Sequence, residues 1–520
     1  MTVKFSWVHV VPLLLLPVLI CAAAGPAFAA TESGDSLQFL EMSPCPFEAA
    51  AGLPAERLRC GRLTVPENRN NPHSATLSLP VAVIRTTSSE PALDPVVFIA
   101  GGPGGSPISS ARTFELFASH AFNTNRDIVL YTQRGAAMTV PELDCQAISS
   151  RGSVYLENHS LAERDQAIAN AATRCLREFA DGGRDLQGYS ATENARDLAD
   201  LRRALGYRQW NMLAVSYGTL IAIETARIDP DGVRSMVLDS LVSPESDLFI
   251  SEGNRNFSYA LNRLFHSCAS IPRCQERFPE LRERLESVIA GLRETPVTLP
   301  LAIPGEAEPV QMSVNWHDFL GVVHWMMYNA RTLTLVPLLI DETAAGRYLL
   351  LQTLLDRVFP GPMLADKSPA GSFFATVCRD QWTQRNPLPR TPSEYGGYSM
   401  AGFLELVCSD GSLDYGNASA PEPIPSNVPT LLLSGRFDPT TPDLYAEQVA
   451  RVFTKVSLVR IPDFGHSTLS GYTACQTLLA NAFLETLGDM SGYGCLGSLG
   501  PPAFVLSVEE AKALFTPGQE

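Results

Sequence analysis

Apolar residues along this chain fall into two rhythms, one of short strands and one of helices, and the rhythms alternate. Arg62–Val65 and Ala75–Arg85 read as strands, the second alternating through Leu77, Leu79, Val81 and Val83. Pro95–Ala100 (PVVFIA) and Asp127–Tyr131 are continuous apolar runs, the pattern of strands covered on both faces. Ser190-x-x-Glu193 is a capping box opening a helix through Leu198, Leu201 and Leu205 that stops at Gly206. Trp210–Val215 returns as a strand, Tyr217–Ile228 as a helix and Val233–Leu238 as a strand. Alternation at this pace predicts a mainly parallel sheet with helices on both faces, an α/β fold.

From about Ser243 to Pro425 the rhythm breaks, and helical stretches such as Leu281–Leu292 and Trp316–Tyr328 dominate. It resumes with Val428–Leu433 (strand), Asp443–Phe453 (helix), Val456–Ile461 (strand) and Tyr472–Leu487 (helix). The expected layout is therefore a core over 31–242 and 426–520, interrupted by a mostly helical cap over 243–425. The Pro-rich Ala418–Pro429 is the expected return linker.

Residues 1–30 read as a signal peptide: Lys4, an apolar Val10–Ala24, then Ala-Phe-Ala-Ala at Ala27–Ala30. The apolar run is shorter than the ~20 residues that span a bilayer and holds Pro12 and Pro17, which argues against an anchor. The expected location is secreted or periplasmic, with no stable membrane insertion after cleavage. Of eleven cysteines, Cys21 lies in the leader. The others fall into neighbours, Cys45/Cys60, Cys145/Cys175, Cys268/Cys274, Cys378/Cys408 and Cys475/Cys495, and nearest-neighbour pairing is the simplest expectation in an oxidising compartment. No CxxC pair or His cluster suggests a metal. A net charge of −16 disfavours nucleic acid as a partner, while 45% hydrophobic and 18% charged residues are ordinary for a globular chain.

The candidate chemistry sits at strand ends. Ala214-Val215-Ser216-Tyr217-Gly218-Thr219 lies between a buried strand and a helix, where a nucleophilic serine in a sharp turn needs small flanking residues. Gly218 meets that need, and Ala214 stands where glycine is usual. Gly101–Gly105 follows the earlier buried strand. A glycine-rich turn there lets backbone N–H groups approach a tetrahedral oxyanion, Gly102 and Tyr217 being the expected donors. A phosphate loop is the rival reading, but no Lys-Ser/Thr follows and Pro103 removes a donor. Asp438 lies on the turn after Leu433, and His466 on a Gly-His turn after Ile461. The order Ser216, Asp438, His466 suits an acid that holds a base and a base that takes the serine proton. His73, His120 and His159 lie in polar, surface-like segments, and His317 and His324 on an aromatic-rich helix.

On Gly101–Ser106, Arg134-Gly135, Thr192 through Asp197 to Arg202, Ser216–Thr219, Asp438-Pro439-x-Thr441-Pro442 and Gly465-His466, the chain resembles the secreted tripeptidyl-aminopeptidase branch of the proline-iminopeptidase-like α/β-hydrolases. The Cys268–Cys274 and Cys378-Arg379-Asp380 segments are similar too, so the likeness runs from about Cys45 to Cys495. It implies an α/β-hydrolase fold, release of short peptides from a free N-terminus under a helical cap, and no metal or organic cofactor. Two departures flank the expected pocket: Ala214 for glycine, and Thr132-Gln133-Arg134-Gly135-Ala136-Ala137 where the family has Asp-x-Arg-Gly-x-Gly. They leave open a carboxylesterase or lactonase using the same residues, and, from another class, an inert binding protein on this fold. Glu245, Asp247 and Glu252 are candidates to hold a substrate amine, with surface carboxylates as the plainer reading.

Overall fold

The computed structural model describes residues 40–46, 52–145, 148, 153–302, 308–358, 370–382, 395, 400–416, 424–469 and 474–515. The expected leader 1–30 and the first half of the return linker, 418–423, lie outside these residues.

One nine-stranded sheet organises the chain, in the order β1-β2-β3-β5-β4-β6-β7-β10-β11. Its members are β1 (Leu40–Ser43), β2 (Leu58–Pro66), β3 (Thr76–Ile84), β4 (Val96–Ile99), β5 (Ile128–Tyr131), β6 (Trp210–Val215), β7 (Val233–Asp239), β10 (Thr430–Gly435) and β11 (Val456–Ile461). β1, β2 and β3 run antiparallel and β3 joins β5 antiparallel; from β5 onward every neighbouring pair is parallel. This is the α/β-hydrolase sheet with β1 added at its edge. The central strands bury nearly every side chain, as Ile128–Tyr131 and Thr430–Gly435 show, because helices cover both faces. The edge strand β11 instead alternates buried and open positions.

Between β7 and β10 the chain leaves the sheet. The excursion carries helices Gly253–Ser270, Leu281–Glu294, Trp316–Met326, Val336–Ala344 and Leu349–Val358, then Ala370–Val377 and Ala401–Cys408. Within this mostly helical segment it also carries a hairpin, β8 (Val297–Leu301) with β9 (Val310–Val314), which the strands expected from the sequence do not include. Phe257, Leu261, Leu264, Leu285, Phe319 and Leu339 form a core of their own, separate from the two cores under the sheet. Phe437, from the loop after β10, is fully buried in that same cluster, so the excursion is packed onto the neighbour of Asp438.

The capping box at Ser190 forms by half. Ser190 Oγ accepts from Glu193 N at 3.1 Å, but the Glu193 carboxylate turns to Arg69 (2.8 Å) and Arg196 (2.7 Å). Arg134 and Arg69 share Asp197, and buried guanidinium groups need carboxylates more than a helix end does. Five disulfides join the nearest-neighbour pairs, Cys45–Cys60, Cys145–Cys175, Cys268–Cys274, Cys378–Cys408 and Cys475–Cys495. Among the described residues no helix is long and apolar enough to cross a membrane.

Candidate active site

β6 ends at Val215 and the helix Gly218–Ile228 begins three residues later, which leaves Ser216 to make the whole turn. Its φ is +54°, a left-handed conformation that a residue with a Cβ adopts only under constraint. The constraint is visible on both sides. Ser216 N donates to the Asp239 carbonyl of β7 at 3.0 Å, and the Ser216 carbonyl accepts Thr219 Oγ1 at 2.6 Å. A Cβ at Gly218 would collide with the Ile99 and Ala100 carbonyls at the end of β4, so glycine is required there. Ala214, by contrast, sits inside the sheet between Ile99 and Leu238, fully buried, and its methyl is accommodated.

The turn after β4 lies against the serine. A Cβ on Gly101 would stand 2.8 Å from Ser216 Cβ, so Gly101 brings this loop to within contact of Ser216. Gly102 follows at φ +118°. Gln133 fastens the loop from β5's side: its amide donates to the Ala100 carbonyl at 2.7 Å, and its Oε1 accepts Gly104 N at 2.8 Å. Gln133, at the variable position of the segment that departs from the family pattern, is thus a clip on the glycine-rich turn. Tyr217 opens the helix, where the first N–H groups lack intrahelical acceptors and point outward. Its hydroxyl donates to the Asp380 carboxylate, which also accepts Ala191 N at 2.8 Å. Burial raises the Asp380 carboxyl to about 6 despite those donors.

The loops that carry Asp438 and His466 are built together. Phe437 N donates to the Phe464 carbonyl at 2.9 Å, and His466 Nδ1 lies 2.9 Å from Asp438 Oδ2. Asp438 also accepts Thr440 N (2.9 Å), Thr441 N (2.8 Å) and Thr441 Oγ1 (2.7 Å). Both side chains are buried. Burial alone would push the imidazole down, but the adjoining Asp438 carboxylate, its hydrogen bond and the charge of Asp239 outweigh it, and His466 is raised. Burial likewise pushes Asp438 up, yet the His466 charge and the hydrogen bonds hold it below the usual carboxylate range. Ser467 N reaches back to Ser240 Oγ at 2.7 Å, so the histidine loop is moored at the end of β7, beside the strand that anchors Ser216 N.

The helix Trp316–Met326 reaches this point from the excursion. The Tyr328 ring stands 4.7 Å from the His466 ring and its hydroxyl is 2.7 Å from Thr440 Oγ1. His324 Nε2 lies 3.4 Å from Thr440 Oγ1 and is pushed down to about 3 by burial and by His466, so it stays neutral. His120 is a correction to the surface reading: it is buried, stacks on Phe122 at 4.2 Å and is pushed down to about 4 by burial. Of the three amine candidates, Glu245 is exposed. Asp247 is buried rather than at the surface, and it accepts from Ser251 Oγ at 2.7 Å. Glu252 pairs with Arg255 at 2.9 Å and accepts the Tyr445 hydroxyl. Asn256 bonds that hydroxyl at 2.7 Å and the Thr440 carbonyl at 2.9 Å, so Glu252 joins the Asp438 loop through side chains.

Residues 94–278, which hold the glycine-rich turn and Ser216, match a family model described as alpha/beta hydrolase fold. Residues 395–490, which hold Asp438 and His466, match one described as TAP-like protein. The chain is 31% identical, over 38% of its own length and 38% of the relative's, to a tripeptidyl aminopeptidase of Streptomyces lividans. It is 28% identical, over 46% of each chain, to the serine protease Hip1 of Mycobacterium tuberculosis. The chain thus spans less than half the length of these curated relatives.

Proposed function

We propose that this chain, which has the α/β-hydrolase fold, is a serine hydrolase and more closely an exported aminopeptidase releasing short peptides from free N-termini. The observation that carries the proposal is the Asp438–His466 pair, moored by Ser467 to the end of β7 next to the strained Ser216. In the proposed reaction His466 Nε2 takes the Ser216 proton as Oγ attacks the scissile carbonyl, while Asp438 fixes the tautomer that frees Nε2. The Gly102 and Tyr217 N–H groups receive the oxyanion, and the imidazolium returns its proton to the departing amine. Water, deprotonated by the same imidazole, then releases the acyl product. Export rests on the leader-like 1–30 and on five disulfides. Glu252, linked to the Asp438 loop, is the proposed partner for a substrate ammonium group.

A matched panel tests the substrate class: aminoacyl, dipeptidyl and tripeptidyl p-nitroanilides with free and acetylated amines, beside short-chain p-nitrophenyl esters. Cleavage of the free-amine tripeptide, reduced at least ~10-fold by acetylation, is the expected result, since a blocked amine leaves a recognising carboxylate unpaired. Equal rates on blocked and free peptides refute the aminopeptidase, and ester turnover alone makes the chain an esterase or lactonase.

The pH profile follows from the charge on His466. A base must be neutral, and against burial the adjoining Asp438 carboxylate raises the His466 imidazole above its ordinary value. Activity is therefore full above that raised value and falls as pH drops through it, so the acid limb of kcat/KM lies above the ordinary imidazole range. A limb well below the ordinary range, measured on any substrate of the panel, contradicts the ion pair.

A further inference from the structure

Asp239 closes β7 and touches both halves of the proposed site. Its main-chain carbonyl accepts Ser216 N at 3.0 Å. Its carboxylate, 1% exposed, accepts Thr468 N (3.0 Å), Thr468 Oγ1 (2.9 Å) and Leu469 N (2.8 Å). With Ser467 N on Ser240 Oγ, three successive N–H groups after His466 end on Asp239, the last residue of β7, and on Ser240 just after it. A buried carboxylate is costly to keep unless several donors hold it, and here all of the donors come from one loop.

We propose that Asp239 is a positioning residue that fixes the His466 loop against Ser216 and adds its negative charge to the field on the imidazole. This rests on the reading of His466 as the base. Four other groups face the ring: Asp438 and Thr441 from the loop after β10, and Tyr328 and the neutral His324 from the excursion. Of these only Asp438 is negative, so Asp239 is the second anion acting on His466. Burial raises the Asp239 carboxyl to about 6 even against its donors. Below that pH a proton on Asp239 removes charge and puts an O–H where an N–H must be accepted.

The full-length chain is compared as wild type, Asp239→Asn, Thr468→Val and His466→Ala. The substrate is the tripeptidyl p-nitroanilide or p-nitrophenyl butyrate, whichever wild type turns over. The Asn variant keeps the shape but sets an amide N–H2 against at least one loop donor. It is expected to lower kcat about 10-fold or more with KM within about 2-fold, as small misplacements of a catalytic group do. Loss of the charge also moves the acid limb of kcat/KM to lower pH by ~0.5 unit or more. Thr468→Val keeps the charge and removes one donor; it is expected to lower kcat by about 3-fold and to leave the limb in place. An Asp239→Asn enzyme with unchanged kcat, or with lowered kcat and an unmoved limb, overturns the proposal, the second because it describes a scaffold role only. Should Asp239→Asn lack a cooperative thermal transition, Thr468→Val decides, and unchanged kcat there overturns it. His466→Ala separates the two levels. Retained Ser216-dependent turnover in that variant removes the base itself, whereas a dead His466→Ala beside a normal Asp239→Asn removes only the role of Asp239.

Discussion

Ser216→Ala lowers kcat by at least ~10⁴-fold and abolishes labelling by a fluorophosphonate probe, with KM little changed. Such a loss is expected when one member of a nucleophile–base–acid unit is removed, because what remains is the oxyanion site and binding alone. The substitution deletes a single oxygen from a half-buried side chain. Serine and alanine carry the same Cβ, so both meet the same strain at a φ of +54°, and the thermal midpoint should not move. Loss of activity with retained folding then belongs to the hydroxyl. Turnover and probe labelling that persist in the variant would place the nucleophile elsewhere.

Asp438→Asn is the second large effect, about 10³- to 10⁴-fold in kcat, and it works through the imidazole rather than the substrate. The carboxylate accepts from His466 Nδ1 and from Thr440 N, Thr441 N and Thr441 Oγ1. An asparagine amide has one acceptor oxygen where the carboxylate has two. If that oxygen keeps the threonine N–H groups, the amide nitrogen faces His466 and favours the tautomer with its proton on Nε2, which cannot take a proton from serine. The variant should still bind substrate, and its fluorophosphonate labelling should slow in proportion to kcat. The amide nitrogen also takes the acceptor from the buried Thr441 Oγ1, at ~1–3 kcal/mol of stability, readable as a lower thermal midpoint. A variant that keeps kcat within a few-fold shows that another group orients His466.

Much of this arrangement was legible along the chain, and the reason is local. β4, β6 and β10 are apolar runs stopped by turn residues, so the positions just beyond them, Gly101–Gly105, Ser216 and Asp438, stand out as loop residues at strand ends. What stayed hidden depends on contacts between distant segments. Gln133 reaches Gly104 and Ala100, Asp380 reaches Tyr217, and Asp239 reaches Thr468, each partner far away in sequence. Nothing in the neighbours of these residues separates them from ordinary polar positions. The hairpin β8–β9 was missed because Pro300 interrupts its alternation, although Pro300 sits on a two-stranded sheet where a lost N–H is tolerated. His120 reads as a surface residue from its polar neighbours, while the structure buries it against Phe122. The half-formed capping box follows the same logic: Glu193 obeys Arg69, more than a hundred residues before it, rather than the helix it begins.

The cysteine pairs carry a further consequence for how such a chain is made. Each bridge closes on the next cysteine along, with separations of 15, 30, 6, 30 and 20 residues. No bridge encloses or straddles another. A polypeptide threaded out of a channel from its N-terminus therefore offers an oxidant one complete couple before the first half of the following one arrives. Short loops also close at the lowest entropic cost, so order of appearance and statistics of encounter favour the same partners. If the chain is exported as proposed, native connectivity can be reached by oxidation in order of appearance, with nothing left for a disulfide isomerase to rearrange.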